Sequence, residues 1–185
     1  MESTIVYHDT PGADNTDETL DLAVNAASVY QIETVVVASR SGATAMELIE
    51  RVKDTEIRVV VVAPQFGWLD KHDFNLTLIP VIREAGHEFH AGTMPFHTDA
   101  LHGCAAPKRM GDVLRIFSQG VQVCVEIAMM AADGGLLKCD RRAVLVAGTG
   151  KGADTAIVAT PASSAKLDEF RVHEILCKPR LMPDE

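Results

Sequence analysis

Apolar residues recur along the chain in two periods. Short β-branched runs at Thr4–His8, Thr34–Ala38, Ile57–Ala63 and His87–Ala91 read as strands, and the continuous runs TVVVA and IRVVVVA fit strands buried on both faces of a parallel sheet. Between them the period lengthens to that of a helix. Leu20, Ala23, Val24, Ala27 and Tyr30 follow Asn15 or Thr16, either a good N-cap; Ala45, Met46, Leu48, Ile49 and Val52 repeat the pattern. Phe74–Ala85, closed by Gly86, is a third helix, and the spacing predicts a long fourth over Met110–Ala132. That fourth helix is apolar on nearly every side, so it packs centrally or against a partner subunit, and Gly134-Gly135 signals its end. The intervening span 92–108 is rich in Gly, Pro and His and reads as a long loop.

From Val144 the chain spells strand, glycine-rich loop, strand, followed by a spacer at Ala162–Glu169 and a last strand. Seven strands and four helices in alternation predict a three-layer α/β sandwich with a mostly parallel sheet. The last two strands, Thr155–Thr160 and Arg171–Lys178, have no helix between them and are expected to pair antiparallel.

Composition narrows the function classes. The 185 residues fit a single domain over 1–185, with 47% hydrophobic and 23% charged residues. A net charge of -9 opposes a duplex phosphate backbone, so nucleic acid is not an expected partner. No apolar run approaches the ~20 residues of a membrane span, and MESTIVYHDT lacks the basic and apolar regions of a signal peptide. The expectation is a cytoplasmic protein with no membrane partner. Cys104, Cys124, Cys139 and Cys177 form no CxxC pair and read as free thiols, Cys124 as inert packing within a helix.

Two loops carry candidate chemistry. Gly148-Thr149-Gly150-Lys151-Gly152-Ala153-Asp154-Thr155 places three glycines in five residues beside a lysine and two threonines. Glycines let successive N–H groups approach an anion, but the spacing matches neither a dinucleotide fingerprint nor a P-loop, and a plain β-hairpin loop is the alternative. Ser39-Arg40-Ser41-Gly42-Ala43-Thr44 lies between a strand and a helix. Hydroxyls, a glycine amide and a helix N-terminus meet there, which suits phosphate; the alternative is that Ser41 or Thr44 only caps the helix. Both loops lie at the carboxyl ends of parallel strands, where open α/β sheets bind ligands. So does Pro64–Asp73, whose Trp68 and Phe66 either stack on a planar ligand or fold onto the body.

Gln119, Gln122, Glu126 and Asp133 share one helix face, read either as a narrow solvent stripe or as the wall of a pocket. Glu126 and Asp154 are the candidate acid/base residues. His97, His102, Asp99 and Cys104 cluster in sequence but match no closed zinc pattern, so no metal is expected. No nucleophile elbow, Walker loop or kinase set is present.

The segments TVVVASRSGATA, SQGVQVCVEIAMMAADGGLL, VLVAGTGKGADTAIVATPA and RVHEILCKPR resemble stand-alone proteins related to the C-terminal α/β domain of pyruvate kinase. The resemblance covers nearly the whole chain and is strongest from Gln119 onward. In pyruvate kinase that domain binds the allosteric effector. Its phosphate-binding turn is matched by Ser39 to Thr44, and its later glycine-rich effector loop by Gly148 to Thr155. The catalytic (β/α)₈ barrel, about 250 residues, has no place in this sequence, so pyruvate kinase activity is not implied. Stand-alone relatives have been seen with flavin mononucleotide, which implies FMN as cofactor here. Its phosphate would be held by Ser39, Ser41, Gly42 and Thr44, with Gly148 to Thr155 closing over it.

Three functions follow as expectations. The first is a protein that binds FMN or a similar phosphorylated small molecule. The others are a flavin-dependent oxidoreductase or other enzyme on a phosphorylated metabolite, and a metabolite-sensing module that signals through a homo-oligomer interface on the Met110–Ala132 helix.

Overall fold

The computed structural model describes residues 4–68 and 74–181. Its strands are β1 (Val6–His8), β2 (Thr34–Ala38), β3 (Arg58–Ala63), β4 (Glu88–Ala91), β5 (Ala143–Ala147), β6 (Thr155–Thr160) and β7 (Arg171–Pro179). They form one sheet in the order β1-β7-β6-β5-β2-β3-β4. Every neighbouring pair is parallel except β5–β6 and β6–β7. A single reversed strand, β6, therefore accounts for the antiparallel pairing at the C-terminal end of the chain. β5 and β6 are joined directly, so the glycine-rich segment is a hairpin loop.

The helices are α1 (Thr16–Val29), α2 (Ala43–Val52), α3 (Leu78–Glu84), α4 (Asp99–His102), α5 (Ala106–Arg115) and α6 (Gln119–Asp133). Alternation along the strands divides the core in two. Val35, Val37, Val59, Val61, Val144 and Val146 pack with α1 and α2 residues such as Leu20, Leu48 and Val52. Val36, Val60, Val62 and Leu145 face the other way, onto Val121, Cys124, Ile127 and Ala128 of α6. The result is the three-layer sandwich expected of strands apolar on both faces.

The long helix expected over 110–132 is two helices. Ser118 has extended backbone (φ -178°, ψ 163°), and its hydroxyl accepts the Val121 N–H, so it caps α6. A serine side chain at this position competes with the helix interior and favours a new start. The preceding helix begins earlier than expected, at Ala106, with Pro107 in its first turn, where a missing N–H costs nothing. The expected loop over 92–108 is thus partly helical, with a 3₁₀ turn at Pro95–His97 as well as α4. The helix expected from Phe74 starts only at Leu78, because Asn75 Oδ1 accepts the N–H and the hydroxyl of Thr77 in a local turn.

Glycine 120 lets α6 sit directly on the start of β6. A Cβ there would stand 2.1 Å from Thr155 Oγ1 and 2.4 Å from Thr155 Cβ. Cys104 and Cys139 are exposed, whereas Cys124 and Cys177 are buried. Burial pushes the Cys124 thiol well above its ordinary range and raises Cys177 to about 11. Among the described residues no helix is long and apolar enough to cross a membrane.

Two outcomes follow from this packing. Gly120→Ala should lower stability by about 1–3 kcal/mol through overpacking and Ser118→Ala by about 1 kcal/mol through loss of the cap, both read by chemical denaturation. Iodoacetamide at neutral pH should modify Cys104 and Cys139 only, with the other two thiols appearing in the mass spectrum after unfolding.

Candidate functional site

The direction in which the sheet grows reverses between β2 and β5. From β2 the chain adds β3 and β4 on one side, then returns to place β5 on the other, parallel to β2. The segments after these two strands diverge at that point, which is where open α/β sheets leave a crevice. A cleft of about 1090 Å³ opens there, walled by the Ser39–Thr44 turn, the Gly148–Gly152 loop, the start of α1 and the inner side of α6.

The first wall is shaped by Ser39. Its backbone N–H is fixed to Val62 O, and its hydroxyl accepts the N–H groups of Gly42 (3.2 Å) and Ala45 (3.3 Å). Ser39, rather than Ser41 or Thr44, therefore holds the start of α2; Ser41 Oγ reaches only the Ala43 N–H, at 3.4 Å. Gly42 has φ 101°, a backbone conformation that calls for glycine. No acidic side chain stands in the first turn of α2, so only the serine oxygens meet its positive end there. Ser39, Arg40, Ser41, Ala43 and Thr44 line the cleft, while Gly42 lies behind them.

The second wall is clamped from below. Asp154, fully buried, accepts the N–H groups of Gly12 and Thr149 at 3.0 Å on Oδ2 and the Thr155 hydroxyl at 2.8 Å on Oδ1. Thr16 at the start of α1 accepts the Ala153 N–H at 3.0 Å and donates to Ala13 O. A Cβ on Gly152 would meet Thr16 Oγ1 at 2.3 Å. Gly148, Gly150, Lys151 and Gly152 line the cleft; Thr149, Ala153, Asp154 and Thr155 do not and instead anchor the loop. Asn15 does not cap α1: its amide donates to Thr10 O and Gly12 O.

The floor comes from α6. Gln119, Gln122 and Glu126 line the cleft, so this part of the polar stripe is a pocket wall, whereas Asp133 is exposed and accepts the Ser164 N–H. Glu126, 2% exposed, accepts the Phe96 N–H at 2.8 Å and contacts His97 Nδ1 at 3.1 Å through Oε1; Oε2 accepts Gln122 Nε2 at 2.9 Å. The Trp68 ring meets His97 edge-on at 5.4 Å between centroids. Trp68 and His97 line the cleft; Phe66, His102 and Cys104 do not. Residues 69–73 of the aromatic loop lie outside the described residues.

A family model described as "Pyruvate kinase, alpha/beta domain" matches residues 17–159. The chain belongs to that family. The matched span runs from the first turn of α1 to the end of β6, so it contains both cleft loops and all of α6. Among solved structures, the chain is similar to Cryptosporidium parvum pyruvate kinase in complex with ADP, at 12% identity and a TM-score of 0.41. The likeness covers 77% of this chain and 22% of that one, so it concerns only a part of that protein.

Within this member of the family the cleft is electrostatically mixed. Arg40, Arg115 and Lys151 share it with Asp14, Asp17, Glu47 and Glu126. Asp17 is paired with Arg51 and Arg115 with Asp112, whereas none of the ion pairs among the described residues takes Lys151. Some cleft residues carry no local signal. Thr16 is 137 residues from its partner Ala153, and His97 is 29 from Glu126, so neither partnership is visible in spacing. Among the described residues no group of three or more His, Cys, Asp or Glu is placed to hold a metal.

Asp154→Asn removes one acceptor position from a site that uses both oxygens. The expected result is a loss of about 1–3 kcal/mol and faster amide exchange at Gly12 and Thr149, measured by denaturation and hydrogen exchange.

Proposed function

We propose that this chain binds a phosphorylated small molecule, with FMN first among candidates, in the cleft between the two loops. One observation carries the reading. The N-terminus of α2, whose first turn holds no acidic residue, and the glycine-rich loop bearing Lys151 face the same crevice at the reversal point of the sheet. Oriented N–H groups, a helix dipole and an ammonium without a carboxylate partner among the described residues suit a phosphate. Ser39 contributes too: its oxygen accepts two N–H groups, which leaves its O–H to donate.

The remaining lining suits the rest of FMN. Val123, Ile127, Met130 and Met94 supply apolar surface, Trp68 an aromatic edge, and the α6 amides polar partners. When bound, a flavin supplies hydride and electron transfer; the residues here would bind and orient it. Both oxygens of Glu126 are engaged and Asp154 lies off the lining, so the reading assigns neither a proton-transfer role. Pyruvate kinase chemistry is not part of it.

The test is spectroscopic. Protein purified without added ligand should release a phosphorylated compound on denaturation, and added FMN should bind saturably. Lys151→Ala should weaken FMN by about tenfold and leave riboflavin unchanged, since a charge-assisted contact to phosphate is worth about 1.5–3 kcal/mol. No flavin absorbance together with no saturable uptake sinks the FMN assignment.

A second reading, a metabolite sensor acting through self-association, is favoured by one feature. Met110, Val113, Ile116 and Phe117 leave a stripe of α5 and its end exposed, next to Arg115 in the cleft wall. It requires that light-scattering mass change on adding FMN; an unchanged mass leaves the stripe without this role.

A further inference from the structure

Gln122 is 1% exposed and lines the cleft, yet its Oε1 has no hydrogen-bond partner among the described residues. The amide orientation is dictated by its neighbour. Gln122 Nε2 donates to Glu126 Oε2 at 2.9 Å, and turning the amide over would set a carbonyl oxygen against a carboxylate oxygen. Glu126 cannot move away to relieve this, because its other oxygen is held by the Phe96 N–H and His97. The carbonyl of Gln122 is therefore locked as an acceptor. A buried acceptor left unmatched is costly, and native structures rarely keep one without a role.

We propose that the α6 floor of the cleft is a recognition subsite for a hydrogen-bond donor on the ligand, a hydroxyl or ring N–H, received by Gln122 Oε1. This rests on the phosphorylated-ligand reading and narrows it: the ligand carries phosphate at the loop end and a polyol or N–H-bearing group at the α6 end. A ligand with only acceptors at that end meets Gln122 Oε1 and the Glu126 carboxylate and is rejected. Glu126 is a positioning residue here, since it holds the Gln122 amide with its carbonyl as the unmatched acceptor. FMN satisfies the requirement through its ribityl hydroxyls or its ring N–H, and simpler phosphorylated polyols do so as well.

The test uses two probes of equal chain length, ribitol 5-phosphate with its hydroxyls and pentyl phosphate without them. Calorimetric titration of the wild-type protein should favour ribitol 5-phosphate by about tenfold, and in Gln122→Met the gap should shrink to within about twofold while pentyl phosphate affinity stays put. Gln122→Leu serves where Gln122→Met does not unfold cooperatively. Equal binding of both probes by the wild type overturns the subsite and leaves the phosphate reading standing. So does a preference that survives in the variant, because the donor is then received elsewhere. An equal loss of both probes in a cooperatively folded variant also overturns it, since Gln122 then only supports the cleft. If neither probe nor FMN saturates the wild type, the phosphorylated-ligand reading fails and the subsite with it.

Discussion

The carboxylate of Asp154 ties three parts of the chain together at the carboxyl edge of the sheet. It receives N–H groups from the turn after β1 and from the hairpin loop after β5, and a hydroxyl from the first residue of β6. A fully buried carboxylate is tolerated only where such donors replace its water. Once they do, the loop can no longer swing independently of α1, and the Thr16 contact to Ala153 locks the same junction from the other side. Both ends of the glycine-rich loop are thereby pinned to the body of the domain. Its glycines serve packing as much as conformation, since Gly152 lies against Thr16 and Ala13, and Gly148 against the backbone of Gly152 and Ala153.

Helix α6 depends on that junction as well. Its N-cap Ser118 stands 3.4 Å from the Thr155 hydroxyl, and Gly120 lets the first turn press on Asp154 and Thr155. One side of α6 fills the second core, with Cys124, Ile127 and Ala128 against β2, β3 and β5. Another carries Gln119, Gln122 and Glu126 into the cleft. The same helix thus secures the fold and presents two buried polar groups, Gln122 and Glu126, to the cleft. A helix apolar on most of its circumference can do this, because burial on every side lowers the dielectric around the few polar groups it holds.

How the cleft balances charge follows from what each group already touches. Asp17 is engaged by Arg51, and Glu126 by three donors. Lys151 stands in the glycine-rich loop, and Asp14 and Glu47 line the same cleft, so charge of both signs meets where the two loops face each other. The net charge of -9 describes the whole surface and says little about this one crevice.

Much of this architecture was legible in the residues. Val35–Val37 and Val59–Val62 are apolar on both pleat faces, which a parallel sheet between helix layers requires, and the spacer between β6 and β7, too short for a crossover helix and holding only a 3₁₀ turn, announced their reversal. The two loops stood out because glycine and hydroxyl residues at strand ends have few other uses. Local pattern failed where packing between elements decides which polar groups are buried. Ser118 reads as one polar residue in an apolar run until its hydroxyl is seen capping Val121, and Gln122 and Glu126 fit a solvent stripe equally well until α5 and the Pro95–His97 turn pack over them. Asp154 reads in the sequence as a candidate acid or base, and the three donors it receives come from contacts the sequence does not show. The sequence by itself determined the periods, hence the strands, the layers and the family resemblance, but not where the helices of 92–133 begin and end. Tertiary structure decided which polar groups lost their water and which atoms replaced it, because that depends on contacts between segments more than a hundred residues apart, such as Thr16 with Ala153 and Gly12 with Asp154.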